Sequence, residues 1–431
     1  MKKGIGKILV SVGKVTFMNL ILFTNSYPYI RGGEQNFLDV EIGYLAHSFD
    51  KIFLVPFEKK EKELPGGHLN ASVEEGYSIL LQSQNTFSLF LRALFSPLLI
   101  KGLLEKNFPH FSFHALRKLI AFVGKAELTR RWVEGWLKST NINEEECVFY
   151  TYWFDNAAAG VGLARKKHPG IKLISRAHNY DIYEERYTPP YIPCRHFALS
   201  SVDLVLACSS NGAEYLRRKY PEFENRVQTS LLGVEDPGFI NQPSNDGVLR
   251  IVSCSFLHSK KRVPMLLEAF ALAARENPSV NMEWRHIGNG NERDDLQKTA
   301  DKNLPASAHA FFIDYIDNST LMKFYQENPV DVFVNVSAIE GIPVSIMEAI
   351  SCGIPVIATA VGGNVEIVSN QNGILLNADP TLDEIATALL KFIEHPEKIH
   401  AKRNGSRMMW SSRYDAHGNF SLFAKLLRDI R

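Results

Sequence analysis

Short apolar runs of strand length alternate with stretches of helical periodicity along most of this chain, and that alternation restricts it to an α/β architecture with parallel sheets. Asn19–Asn25 (NLILFTN) is apolar, ends in the glycine-bearing loop Ser26–Gly33, and leads into a helical pattern over Glu34–Ser48. Lys51–Phe57, Cys147–Tyr152, Lys172–Ser175 and Leu204–Cys208 supply further strand-like runs with helical stretches between them. Gly, Pro, Asn and Asp then crowd into Gly233–Gly247, which has little apolar periodicity and reads as a crossing between domains. Beyond it a second series begins: strand Leu249–Ser253, helix Pro264–Glu276, then strands Asn281–Ile287, Asp331–Val336 and Ile354–Thr359.

At 431 residues the chain is longer than one core comfortably fills. Two doubly wound, Rossmann-like domains are therefore expected, over 1–235 and 236–410, facing one another across a central cleft at their strand C-terminal ends, where ligands of open α/β sheets collect. The closing segment 411–431, helical in period from Phe420 to Ile430, is expected to pack back toward the first domain. The first clear element starts at Met18, so residues 1–17 read as an upstream extension, without the unbroken apolar core of a signal peptide.

A net charge of +1 gives no overall attraction to nucleic acid. Five cysteines, at 147, 194, 208, 254 and 352, are odd in number and include no Cys-x-x-Cys pair, which fits a reduced, cytoplasmic protein. His110 and His114 have helical spacing but no third ligand beside them, so no metal site is expected. The run Phe87–Leu104 is lipid-like yet interrupted by Arg92, Pro97 and Lys101. With Arg117, Lys118, Lys125, Phe122, Arg130, Arg131, Trp132 and Trp136 it makes 87–136 a candidate for peripheral contact with an anionic membrane, on the inner face of the cytoplasmic membrane; the alternative is helices packing on their own domain.

The densest chemistry lies in Asp331–Val368. A strand ends near Ser337, a loop carries Glu340, Gly341 and Ile342, and Pro343 occupies a first-turn position opening a helix that runs through Val344 and Glu348 until Gly353 closes it. Backbone N–H groups at such a helix start carry partial positive charge and suit a diphosphate. Glu348, inside the helix, is placed to accept hydroxyls of a ribose, and Glu340 to reach the sugar; alone, either glutamate reads equally as an exposed helix-start acid.

This stretch closely resembles the signature of the family 4 retaining glycosyltransferases of the GT-B fold: Glu340, Glu348, Ala349, Cys352, Gly353, Pro355, Val356, Gly362, Gly363 and Glu366 match in order. The resemblance implies transfer of a sugar from a nucleotide diphosphate sugar, as co-substrate rather than cofactor, to a saccharide or lipid-linked saccharide acceptor, with no metal. It carries Lys261 over as the diphosphate-binding lysine, while Phe256 stands where the family has an arginine. The segment SCSFLHSKKRV resembles a subgroup of exopolysaccharide and capsule synthesis. Either Arg262 supplies the second positive charge, or Lys261 and the helix dipole suffice.

In the same resemblance His178, in Arg-Ala-His-Asn-Tyr-Asp, faces the transferred sugar. Gly32 and Gly33 match a glycine loop at the first strand, and Gly288 and Gly290 a turn beneath the base. The third glycine and later acid of a dinucleotide fingerprint are absent, which disfavours NAD. Tyr150–Asp155 is aromatic at a strand end and suits either stacking on an acceptor or packing.

Overall fold

A computed structural model of the chain describes residues 17–29, 34–59, 70–394 and 396–430. Gly32, Gly33 and residues 1–16 lie outside them. Seven strands, β1 (Asn19–Thr24), β2 (Lys51–Pro56), β3 (Ala71–Val73), β4 (Cys147–Thr151), β5 (Lys172–Ala177), β6 (Leu204–Ala207) and β7 (Val227–Thr229), form a first sheet in the order β3-β2-β1-β4-β5-β6-β7. Six more, β8 (Val248–Cys254), β9 (Asn281–Ile287), β10 (Ala308–Ile313), β11 (Val332–Asn335), β12 (Val356–Thr359) and β13 (Gly373–Leu376), form a second in the order β10-β9-β8-β11-β12-β13. Every pairing is parallel. The strand order reverses beside β1 in one sheet and beside β8 in the other, the switch points at which open sheets leave a crevice.

The central strands are apolar throughout because both faces are covered. On β1, Ile21 and Phe23 join Trp132 and Trp136 of the helix Phe113–Thr140 in one core, whereas Leu20 and Leu22 meet Leu38 and Ile42 of the helix Glu34–Ser48 on the other face. The final helix, Ala416–Asp429, packs on that second face through Phe423, Ala424 and Leu427. Trp132 and Trp136 are thus core residues, as the packing alternative for 87–136 has them, and take no part in a membrane-facing surface.

Two strands of chain run side by side between the sheets. Val234 N–H donates to the Tyr414 carbonyl (3.0 Å) and Ala416 N–H to the Val234 carbonyl (3.1 Å). Gly233 sits so close that a Cβ there would meet Ala416 Cα at 2.6 Å. Glu366 of the second sheet's half accepts the N–H groups of Ser210 (3.0 Å) and Asn211 (2.9 Å), at the start of the helix Ser210–Lys219 of the first.

Pro343 precedes the helix Val344–Ser351 as its N-cap rather than lying in its first turn. At the other end Gly353 takes φ +73°, the left-handed conformation that closes a helix. A Cβ there would find room, 3.4 Å from Ile240, so the cost of a side chain is backbone strain alone. Gly353→Ala is expected to lower stability by about 1 kcal/mol in urea denaturation, with nucleotide binding unchanged.

Candidate functional site

Loops from the C-terminal ends of both sheets converge on a cleft of about 340 Å³. Of the residues singled out in the sequence, His178, Lys261, Gly288, Glu340, Gly341, Ile342, Pro343, Val344 and Glu348 all line it.

Glu340 is buried at the tip of the loop after β11. Its Oε1 accepts Lys261 Nζ at 2.6 Å and Asn335 Nδ2 at 3.0 Å. Lys261 ends a single turn, Ser259–Lys261, after β8, and the Ala338 N–H bonds to the Lys260 carbonyl (2.8 Å), tying the two loops together. The glycine pair of the motif explains how Glu340 is held. Gly362, at φ +50°, approaches the Glu340 carbonyl so closely that a Cβ would lie 2.0 Å from it, and Gly363 N–H donates to the Gly341 carbonyl at 2.6 Å. No larger residue permits that backing.

Glu348 lies beneath, in the helix Val344–Ser351, and accepts Asn318 Nδ2 at 2.6 Å. Burial pushes its carboxyl up to about 7. At the start of the same helix the Ile346 and Met347 N–H groups donate to the Pro343 carbonyl (3.2 and 3.3 Å), while Val344 and Ser345, whose N–H groups precede the first turn of helix bonding, line the cleft.

His178 enters from the first sheet, after β5. Its backbone N–H donates to Asp181 Oδ1 (2.6 Å), and Asp181 also accepts the Phe154 N–H (2.8 Å), which fixes the loop. The ring meets Tyr152 and Trp153 at centroid distances of 4.7 and 4.4 Å. Nε2 lies 3.1 Å from the Tyr152 carbonyl, which can only accept, so Nε2 carries the proton and Nδ1 faces Cys208 Sγ at 3.3 Å. Burial, then the nearby Arg176 guanidinium, push the imidazole down to about 3. The ring is neutral at physiological pH.

Arg176 itself is fully buried and forms an ion pair with Glu41 at 2.9 Å. Tyr150 OH donates to the same carboxylate, and the Phe423 ring covers the guanidinium. This anchors β5 just ahead of His178. Glu34 does similar service nearer the first strand: it accepts the N–H groups of Asn25 (2.8 Å), Ser26 (2.7 Å) and Tyr27 (3.1 Å) and the Trp153 indole N–H (2.7 Å). Within Tyr150–Asp155, Trp153 is the residue that lines the cleft; Tyr150, Tyr152 and Phe154 are buried, and Asp155 caps the next helix.

Two expectations are corrected. Arg262 does not bring a second charge to the cleft: at φ +53° its side chain turns to the Ala378 carbonyl (3.0 Å) and to Asp379 (2.7 Å). Gly290 does not line the cleft either; it packs against Leu257, whose carbonyl a Cβ would meet at 2.4 Å, whereas Gly288, at φ +145°, lines it and passes against the Ser255 carbonyl.

Residues not singled out as site candidates also face this space. Arg186, on a turn after β5, lines the cleft and makes no ion pair among the described residues. Phe256, at the arginine position, lies parallel to Tyr315, with an interplanar angle of 1° and centroids 6.4 Å apart, both rings partly exposed. An aromatic at 256 was visible in the sequence, but its partner lies far along the chain after β10.

Two doubly wound sheets that face one another in this way are the GT-B fold. The lipopolysaccharide outer core galactosyltransferase WaaB superposes with a TM-score of 0.64 at 16% identity, over 95% of this chain and 100% of WaaB. Anabaena HepE, solved in complex with UDP and glucose, gives 0.63 at 15% identity, over 96% and 100%. Residues 239–408 match the family model for glycosyl transferases group 1. The GtfA subunit of the UDP-N-acetylglucosamine–peptide N-acetylglucosaminyltransferase of Streptococcus agalactiae is 30% identical over 250 residues, 55% of this chain and 48% of that protein. The chain spans about half the length of the curated relatives it matches.

Proposed function

We propose that the chain is a retaining glycosyltransferase that moves a hexosyl unit from a nucleoside diphosphate sugar to a saccharide or lipid-linked saccharide, in surface polysaccharide synthesis on the cytoplasmic side of a membrane. The observation that carries this reading is the meeting of Lys261, Glu340, Glu348 and a helix N-terminus in one interdomain cleft. In this arrangement the diphosphate lies against Lys261 and the first-turn N–H groups of the helix Val344–Ser351, so that they meet the negative charge that grows as the leaving group departs. Arg186, which lines the cleft from the opposite domain and makes no ion pair among the described residues, takes the part expected of Arg262. No metal is assigned to this step.

Glu348 accepts ribose hydroxyls, and the parallel Phe256 and Tyr315 rings offer a stacking face to the base. Glu340 serves the sugar once the phosphate competes for Lys261. The N–H of His178 is satisfied by Tyr152, so contact with the sugar requires that bond to be exchanged; as a neutral ring it orients rather than protonates. The relatives' names support a uridine nucleotide as the first donor to try.

Incubation with UDP-glucose, UDP-galactose and UDP-N-acetylglucosamine, followed by nuclear magnetic resonance of the released sugar or product, tests the reading. Release of UDP with an α-anomer as first product from the α-linked donor is expected. An inverted product refutes retention, and absence of both UDP release and UDP binding refutes the donor assignment.

A further inference from the structure

Amphipathic helices of a globular domain turn their apolar stripe inward, yet the helix Thr86–Leu94 presents one to solvent. Phe87, Phe90, Leu91 and Leu94 stand at i, i+3, i+4 and i+7, on one face, and all are exposed, while Ala93 is the residue the helix buries. Phe95 follows at the corner, 85% exposed. The chain then turns by 82° into the helix Pro97–Leu103, which is anchored by Leu98 and Leu99 and leaves Ile100 and Leu104 outside. Phe111 and Phe113 extend the same apolar region. Nine of the twenty large apolar side chains that are exposed among the described residues fall between Phe87 and Phe113.

Charge around this region is one-sided. Between Thr86 and Lys118 stand Arg92, Lys101, Lys106, Arg117 and Lys118 against a single carboxylate, Glu105. Glu105 turns inward to accept the His196 N–H (3.1 Å). Lys101, Lys106 and Arg117 are exposed. No single helix among the described residues is long and apolar enough to cross a membrane. The bent pair, at nine and seven residues, suits shallow burial in the plane of a bilayer surface.

We propose that Phe87–Phe113 is a docking surface for an anionic lipid bilayer, with Phe95, Phe111, Phe113 and the exposed leucines entering the boundary between headgroups and acyl chains and Lys101 and Lys106 lying on headgroup phosphates. Pairing of two copies through this face is the competing occupant. A two-fold interface would set the patch against itself and bring Lys101, Lys106 and Arg117 near their own copies, with Glu222, which lines a pocket with Lys101 and Lys106, as the exposed carboxylate beside them. An anionic surface answers them directly. None of these residues lines the cleft, so the contact stands apart from the transfer chemistry.

Flotation of the full chain with vesicles of phosphatidylcholine, and of phosphatidylcholine mixed with phosphatidylglycerol, is the test. Binding is expected to the mixed vesicles and to be about 10-fold weaker to the neutral ones. The triple variant Phe95→Ser, Phe111→Ser, Phe113→Ser and the double variant Lys101→Glu, Lys106→Glu should each lose about 10-fold in partitioning. Both should keep the wild-type melting temperature and its shift with UDP, which separates lost docking from lost folding. Wild type that fails to float with anionic vesicles, variants that float as well as wild type, or a lipid-free dimer that Phe95→Ser dissociates would each overturn the proposal.

Discussion

Lys261→Ala is expected to lower turnover of the sugar donor by about 10²-fold or more, with an unchanged circular dichroism spectrum. Lys261 is the cation that the loop after β8 delivers to the buried carboxylate of Glu340, at 2.6 Å. The tie between the Ala338 N–H and the Lys260 carbonyl holds the loop through its backbone, so truncating the Lys261 side chain leaves that bond in place. Glu340→Gln is the cleaner companion to Glu340→Ala: it keeps the acceptor that Asn335 needs, removes only the charge, and should cost turnover to a similar degree. Arg186→Gln, which removes a cation that makes no ion pair among the described residues, is expected to lose less, about 10-fold. If the lysine acts on the leaving diphosphate, kcat falls more than donor affinity does. Near-normal turnover in both Lys261→Ala and Glu340→Gln would remove the basis of the assignment.

Parts of this arrangement were legible in the amino-acid order because local rules settle them. A buried parallel strand must be apolar on both faces, which is why β1, β2, β4, β5, β8 and β11 could be read directly. The edge strands of the first sheet could not: Ala71–Val73 and Val227–Thr229 are three residues each, too short to carry a period, and the edge strands of the second sheet, Ala308–Ile313 and Gly373–Leu376, were not read either. The run from Glu340 to Gly363 was readable for a different reason, its resemblance to a family signature, and the structure supplies the physical ground for that pattern. Its glycines answer backbone approaches, such as Gly362 against the Glu340 carbonyl, that admit no other residue.

Side-chain direction was what sequence withheld. Arg262 and Lys261 are neighbours, yet a left-handed φ at Arg262 sends it to Asp379 while Lys261 faces the cleft. Tyr315 reaches the site across a long interval of chain, and Arg186, only eight residues beyond His178, has nothing in its own sequence to show that it turns back to the cleft. Trp132 and Trp136 admitted two readings for a related reason: a long helix rich in basic residues looks like a surface, but its aromatic stripe lies in the core beside the first sheet.

Glu348→Gln is expected to act with opposite signs on stability and on nucleotide affinity. Burial raises the folded-state carboxyl from its ordinary 4.5 to about 7, so the folded protein binds that proton more tightly than the unfolded chain does. The resulting penalty on the fold is absent below about pH 4.5, grows as pH rises, and is complete above about pH 7, where it amounts to roughly 1–3 kcal/mol. Glutamine has no proton to lose and can still accept Asn318 Nδ2, so the variant should melt higher than wild type at pH 8 and equally at pH 4.5. Binding runs the other way. A ribose diol donates two hydroxyls to an ionised carboxylate, and a neutral amide accepts less strongly and offers an N–H where an acceptor is needed, at a cost of about 10- to 100-fold in UDP affinity. Wild-type affinity should also rise with pH through about 7 as the carboxylate ionises, while that of the variant stays flat. Titration calorimetry across that range reads both effects, and a Glu348→Gln protein whose UDP affinity and pH profile match wild type would show that the carboxylate does not hold the ribose.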